Sequence, residues 1–102
     1  DNKIGTGVNS GASVNGILIK TPNTTVQRNE VVNSTGATAS RVGINVIMAA
    51  ANKVVVKDNV TRGPWANDIA LTANAGIFAI NNVIDGAISN QAGNTVSGTV
   101  TI

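Results

Sequence analysis

Seven basic and five acidic residues in a chain of 102 leave a net charge of +2, and there is no Cys and no His. Those absences exclude disulfide stapling, thiol or histidine-based catalysis and the usual zinc sites. So small a surplus, with no basic and aromatic cluster, argues against a nucleic-acid surface, and no apolar stretch reaches the roughly 18 residues of a membrane span.

Residue usage points to strands. Val, Ile and Thr number 14, 11 and 11 against two Leu and one Glu, and β-branched side chains pack well on pleated strands. Asn (15) and Gly (11) supply turns that need left-handed backbone. The only aromatics are Trp65 and Phe78, which predicts a narrow aliphatic core rather than the thick core of a β-sandwich.

Two kinds of segment alternate along the chain. A partial motif, Asn2-Lys3-Ile4-Gly5-Thr6, comes first, and Gly16-Ile17-Leu18-Ile19 is the first apolar strand. Asn29-Glu30-Val31-Val32-Asn33 opens the next unit, a loop from Ser34 to Val42 follows, and Gly43-Ile44-Asn45-Val46 is the second apolar strand. Asn59-Val60-Thr61-Arg62-Gly63 leads through a Pro64 to Asn67 loop to Asp68-Ile69-Ala70-Leu71. Asn82-Val83-Ile84-Asp85-Gly86 precedes Ala87-Ile88-Ser89, and Asn94-Thr95-Val96-Ser97-Gly98 closes the series before Thr99-Val100-Thr101-Ile102. Ile17, Ile44, Ile69 and Ile88 are 27, 25 and 19 residues apart; Asn29, Asn59, Asn82 and Asn94 are 30, 23 and 12 apart.

Two motifs in step imply one structural unit per period. A coil of two or three short strands, each pairing with its counterpart one coil away at about 4.8 Å, stacks like residues in columns. The expected fold is all-β: a single-stranded right-handed parallel β-helix of about four coils, with residues 1–102 one domain or part of one, cut from a longer solenoid. Asn29, Asn59 and Asn82 are the structural column, their amides stacking as in cross-β arrays. Asn94, only 12 residues on, either joins them or begins the next face. An antiparallel sandwich with Asn-rich hairpins is the alternative. Uncapped solenoid ends predict a chain that associates rather than staying a soluble monomer.

The segments Asn59–Gly63, Ile80–Gly86 and Gly93–Thr99 resemble coils of the pectate-lyase-like β-helix superfamily, and the heavy Asn, Ala and Thr usage looks most like a bacteriophage tailspike or tail appendage. The resemblance covers roughly Ile17 to Thr99 and carries no catalytic signature. It implies a virion-tail or extracellular module, homotrimeric in its parent, that recognises, or helps the parent to depolymerise, a bacterial surface polysaccharide. A segment of a secreted polysaccharide lyase or glycoside hydrolase, and a structural stalk or adhesin passenger, are the other readings. No cofactor, metal, nucleic-acid partner or membrane insertion is expected.

Glycoside hydrolysis needs two carboxylates, about 5.5 Å apart for retention or about 6.5–9.5 Å for inversion. The catalytic candidates are therefore Asp58, Asp68 and Asp85, with Arg62 beside them; a lyase base would come from Lys53, Lys57 or Arg62. The aligned motifs set Arg28 beside Asp58 and Arg62 beside Asp85, a pattern of surface ion pairs that competes with the catalytic reading. Trp65, with Arg62 and Asn67 near it, is the candidate sugar-binding group, against the alternative that its ring packs on a neighbouring coil.

Overall fold

The computed structural model describes residues 3–6, 14–34, 41–47, 53–72 and 76–102, and among them there are thirteen strands and no helix. The strands come in threes. The first rung is β1 (Lys3–Thr6), β2 (Val14–Ile19) and β3 (Thr25–Gln27), followed by β4 (Glu30–Asn33), β5 (Arg41–Val46) and β6 (Val54–Lys57). Next come β7 (Val60–Arg62), β8 (Asn67–Leu71) and β9 (Ile77–Ile80), then β10 (Val83–Ile84), β11 (Ile88–Asn90) and β12 (Thr95–Ser97), and finally β13 (Val100–Thr101).

Each strand pairs in parallel with the one three places later. Sheet A has the order β1-β4-β7-β10-β13, sheet B β2-β5-β8-β11, and sheet C β3-β6-β9-β12. Around Val56 the register is Val56↔Ala79 and Lys57↔Ile80, parallel, so antiparallel hairpins have no place here. The result is a three-sheeted parallel β solenoid.

Alternation along each strand sends one residue in and the next out. In β6, Val54 and Val56 are buried while Val55 and Lys57 are half-exposed. Stacking repeats the choice from rung to rung: Ile44 and Ile69 are register partners with no exposure, as are Val54 and Ile77. With Val31, Val46, Val56, Leu71, Ala79 and Ile84 they form one aliphatic core that also takes in Trp65. Each fully buried Val or Ile contributes about 1.5–3 kcal/mol of transfer free energy, so the columns dominate the stability of the stack.

Register also locates every corner. From sheet C to sheet A, the inward residues Val26 and Val31, Val56 and Thr61, Ala79 and Ile84, and Val96 and Thr101 are always five residues apart. From sheet A to sheet B, Val31 to Ile44, Thr61 to Ile69 and Ile84 to Ile88 span 13, 8 and 4 residues. From sheet B to sheet C, Ile17 to Val26, Ile44 to Val56, Ile69 to Ala79 and Ile88 to Val96 span 9, 12, 10 and 8. All variation in length therefore enters along the two borders of sheet B.

Candidate functional site

The constant corner holds a ladder of amides. Asn59 Oδ1 accepts the Asn29 backbone N–H at 3.0 Å and the Asn29 side-chain amide at 3.1 Å. One rung on, Asn82 Oδ1 accepts the N–H and the side-chain amide of Asn59, both at 3.1 Å. The amides of Asn59 and Asn82 also donate to the Val26 and Val56 carbonyls, at 3.0 and 2.9 Å. Asn59 and Asn82 have no exposure and Asn29 is buried, so each bond forms away from water, where a lost partner costs most. Asn94 lies elsewhere. Pairing of Val83 with Val100 puts Thr99 one rung beyond Asn82, while Asn94 Oδ1 accepts the Ile77 N–H at 3.2 Å at the corner leading into sheet C.

Two further columns were not visible in the sequence. Immediately before the ladder, Arg28, Asp58, Asn81 and Gly98 all have positive φ, between 54° and 65°. At the entry to sheet C, Asn23, Lys53, Gly76 and Gly93 do the same, with φ of 56°, 58°, 71° and 93°. Left-handed backbone aims the chain round each bend, and it recurs rung after rung whatever residue occupies it. Asn23, Asp58, Asn81 and the glycines carry the usual side-chain signal for that conformation; Arg28 and Lys53 do not.

The corner from sheet A to sheet B is polar inside. Asp68 is 1% exposed. Its Oδ2 accepts the Thr61 hydroxyl at 2.7 Å and the Asp85 N–H at 3.2 Å, and its Oδ1 accepts the Ala87 N–H at 3.2 Å. Arg41, 1% exposed, donates to Asn33 Oδ1 at 3.2 Å, and Asn33 in turn donates to the Pro64 carbonyl at 3.1 Å. Gly63, with φ of 104°, passes so close that an added Cβ would stand 2.1 Å from the Asn33 carbonyl oxygen, which fixes glycine there.

This geometry separates the catalytic candidates. Asp68 serves the interior. Asp85 is exposed, and its Oδ2 accepts the Gly63 N–H at 2.9 Å rather than pairing with Arg62, its register neighbour. Asp58 stands at the other end of sheet A, at the bend before β7, whereas Asp68 and Asp85 meet at the corner into sheet B. Arg62 is exposed on sheet A. Trp65 corrects the expectation of a surface sugar platform: it is 8% exposed and part of the core, and its indole N–H has no partner. A ring so covered cannot offer a face for stacking. The buried Asn33 and Asn59, both in sequons, are likewise structural. The Ser34 to Val42 loop gives way to β5 at Arg41 and the Pro64 to Asn67 loop to β8 at Asn67; residues 35–40 lie outside the described residues. No group of three acids suited to a metal exists among the described residues.

What the candidates lacked, the outer face of sheet B supplies. Asn45, itself only 8% exposed, donates to Oδ1 of the half-exposed Asn15 at 3.0 Å. Asn67 shares the column of Asn15 and Val42, and Ala70 and Ser89 share that of Asn45. Thr72 and Lys20 stand at the strand ends, and no carboxylate projects from this face among the described residues. The segments 7–13, 35–40, 48–52 and 73–75, which join sheet B to its neighbours, contain no charged residue. Asn67 was legible as a candidate; Asn15, Asn45 and Ser89 were not, although the Ile series already defined their register. Comparison of the chain with family models, with curated proteins and with solved structures finds no match.

Proposed function

We propose that the chain is a recognition module in a right-handed parallel β-helix of about four coils, of the pectate-lyase-like kind, in a tailspike-like appendage that binds a bacterial surface polysaccharide. The observation that carries this reading is the confinement of length variation to the borders of sheet B, whose outer face bears the half-exposed Asn15 and Asn67 and the exposed Ser89. Asn15 and Asn67 stand two rungs apart with Val42 between them, about 9.6 Å along the axis, a spacing that suits a ligand that itself repeats. Variable segments at the rims of a constant face are where specificity is usually built.

The same face favours binding over cleavage. Hydrolysis needs two carboxylates on the substrate side, and the four described acids lie elsewhere: Asp68 inside, Asp85 on the Gly63 N–H, Asp58 at the far corner and Glu30 on sheet A. The secreted hydrolase reading therefore draws no support from the acids.

The test is to screen the chain against bacterial capsular and O-antigen polysaccharides and then replace Asn15 and Asn67 together by Ala. Binding that falls at least tenfold in the double variant, with no new reducing ends or unsaturated products, is expected. Binding that survives it, or product release by the wild-type chain, would sink the reading.

A further inference from the structure

Of the fifteen Asn in the chain only Asn15 is followed by glycine, and of the four Asp only Asp85 is. At such pairs the following backbone nitrogen, unhindered by a Cβ, can approach the side-chain carbonyl carbon and close a succinimide ring. The fold treats the two pairs differently. Asp85 is clamped: its N–H goes to Asp68 Oδ2 at 3.2 Å, and its Oδ2 accepts the Gly63 N–H at 2.9 Å. Beyond Gly86, the Ala87 N–H is tied to Asp68 Oδ1 at 3.2 Å. Turning the Asp85 side chain toward the Gly86 nitrogen would break these bonds.

Asn15 is half-exposed and second in β2, the edge strand of sheet B, where local opening costs least. Pairing with β5 runs Val14↔Arg41 and Asn15↔Val42 and resumes at Ile17↔Ile44, so Gly16 stands out of register. Packing nevertheless fixes glycine there, because an added Cβ would lie 2.3 Å from Val31 Cγ1 and 2.7 Å from the Gly43 carbonyl oxygen. Asn15 Oδ1 accepts the Asn45 amide at 3.0 Å. Asn45 is buried and its own Oδ1 has no partner, so no bond on that side draws its amide away from Asn15.

We infer that Asn15 is a site of spontaneous deamidation, and that the Asn45 amide promotes the reaction as an oxyanion donor. Hydroxide takes the Gly16 amide proton as the nitrogen attacks Asn15 Cγ. Charge builds on Oδ1, where the Asn45 N–H already points, as a donor to a tetrahedral intermediate must. The Cγ–Nδ2 bond then breaks, nitrogen leaves as ammonia with a proton from water, and the succinimide remains. Water opens that ring at either carbonyl to give aspartate or isoaspartate; in sum, one water enters and one ammonia leaves. A carboxylate thereby appears on an outer face that carries none among the described residues. Isoaspartate also adds a methylene to the β2 backbone ahead of Ile17. None of this rests on the polysaccharide reading.

Ageing the intact, folded chain at mildly alkaline pH tests the inference, read by peptide mass mapping and by enzymatic methylation of isoaspartate. Asn15 is expected to convert ahead of every other Asn, with Asp85 unchanged, and this map needs no variant. Asn45→Ala, and Asn45→Asp, which keeps the shape but cannot donate, are checked for β content by circular dichroism. Each should slow conversion about tenfold, less than a fully enclosed oxyanion donor gives. Loosening of the strand would speed the reaction instead, so the direction separates assistance from a structural effect. Another asparagine reacting first, or either folded variant ageing as fast as the wild type, overturns the inference.

Discussion

Asn59 Oδ1 accepts two hydrogen bonds from a single residue, the backbone N–H and the side-chain amide of Asn29. One carbonyl oxygen thereby fixes both the height and the orientation of the corner in the preceding rung. Its own amide and N–H are held in the same way by Asn82, so Asn59 is the member with neighbours on both sides.

Replacing Asn59 by Ala is therefore expected to cost about 3–5 kcal/mol, since at least two buried partners are orphaned at about 1–3 kcal/mol each. Asn29→Ala, at the end of the described ladder, should cost less. Urea unfolding of the two variants measures the order, and equal losses would count against the ladder as a chain of dependent bonds.

The next position is unfilled. Thr99 follows Asn82 in the column, and its buried hydroxyl has no partner. Thr99→Asn should extend the ladder by accepting from Asn82 and gain about 1 kcal/mol. A loss of stability would mean that the column cannot lengthen at this rung.

Lys53 holds left-handed backbone where the register neighbours Gly76 and Gly93 are glycine. A side chain with a β-carbon costs about 1–2 kcal/mol there, and Asn tolerates it better. Lys53→Asn should stabilise by about 0.5–1 kcal/mol. At the other corner, Gly98→Ala should destabilise, because its Cβ would lie 2.1 Å from Asn81 Oδ1 at a φ of 65°. Thermal melts of both variants should move in opposite directions.

Asp68 accepts three hydrogen bonds inside the molecule. Asp68→Ala orphans the Thr61 hydroxyl and the N–H groups of Asp85 and Ala87, at about 1–3 kcal/mol for each group left buried. The variant should lose stability heavily, whereas Asp58→Ala, at an exposed corner with φ of 55°, should lose about 1 kcal/mol or less. Equal effects in denaturant titrations would remove the structural role given to Asp68.

Trp65 is the only indole, so its fluorescence reports one site. It should emit as a buried residue, and polysaccharide should leave it unchanged. Trp65→Phe discards an N–H that has no partner and should cost less than about 1.5 kcal/mol, against about 3–5 kcal/mol for Trp65→Ala. A large spectral shift on adding ligand would return Trp65 to the surface.

The Asn and Ile series were readable because the corner between sheets C and A never changes length and because inward Ile positions stack in register. Parallel order followed from those periods. The Asn94 spacing left two corners open for a physical reason: its rung is the shortest, and the same short motif serves a different corner there. Trp65 left two readings open because Arg62, Asn67 and Asp68 around it are polar, and in a loop that folds over a corner the polarity of the neighbours does not say which way the residue between them turns. The left-handed columns were hidden by Arg28 and Lys53, whose side chains follow the bend instead of causing it. Of the catalytic candidates, sequence could align Asp58 and Asp85 in columns, but it could not tell that Asp68 turns inward to Thr61.

A constant interval of five residues at one corner has a kinetic meaning. Wherever a connecting segment grows or shrinks, the count restarts at the next Asn, so an error in one loop is not carried into later strands. A misaligned strand would bury an apolar side chain where the amide ladder demands a polar one, and it would be rejected within its own rung. Assembly can then proceed one rung at a time, each searching only its 17 to 30 residues (Val83 to Val100, Glu30 to Val60) for a partner already in place. Folding time should therefore grow in proportion to the number of rungs rather than with the contact order of the whole stack.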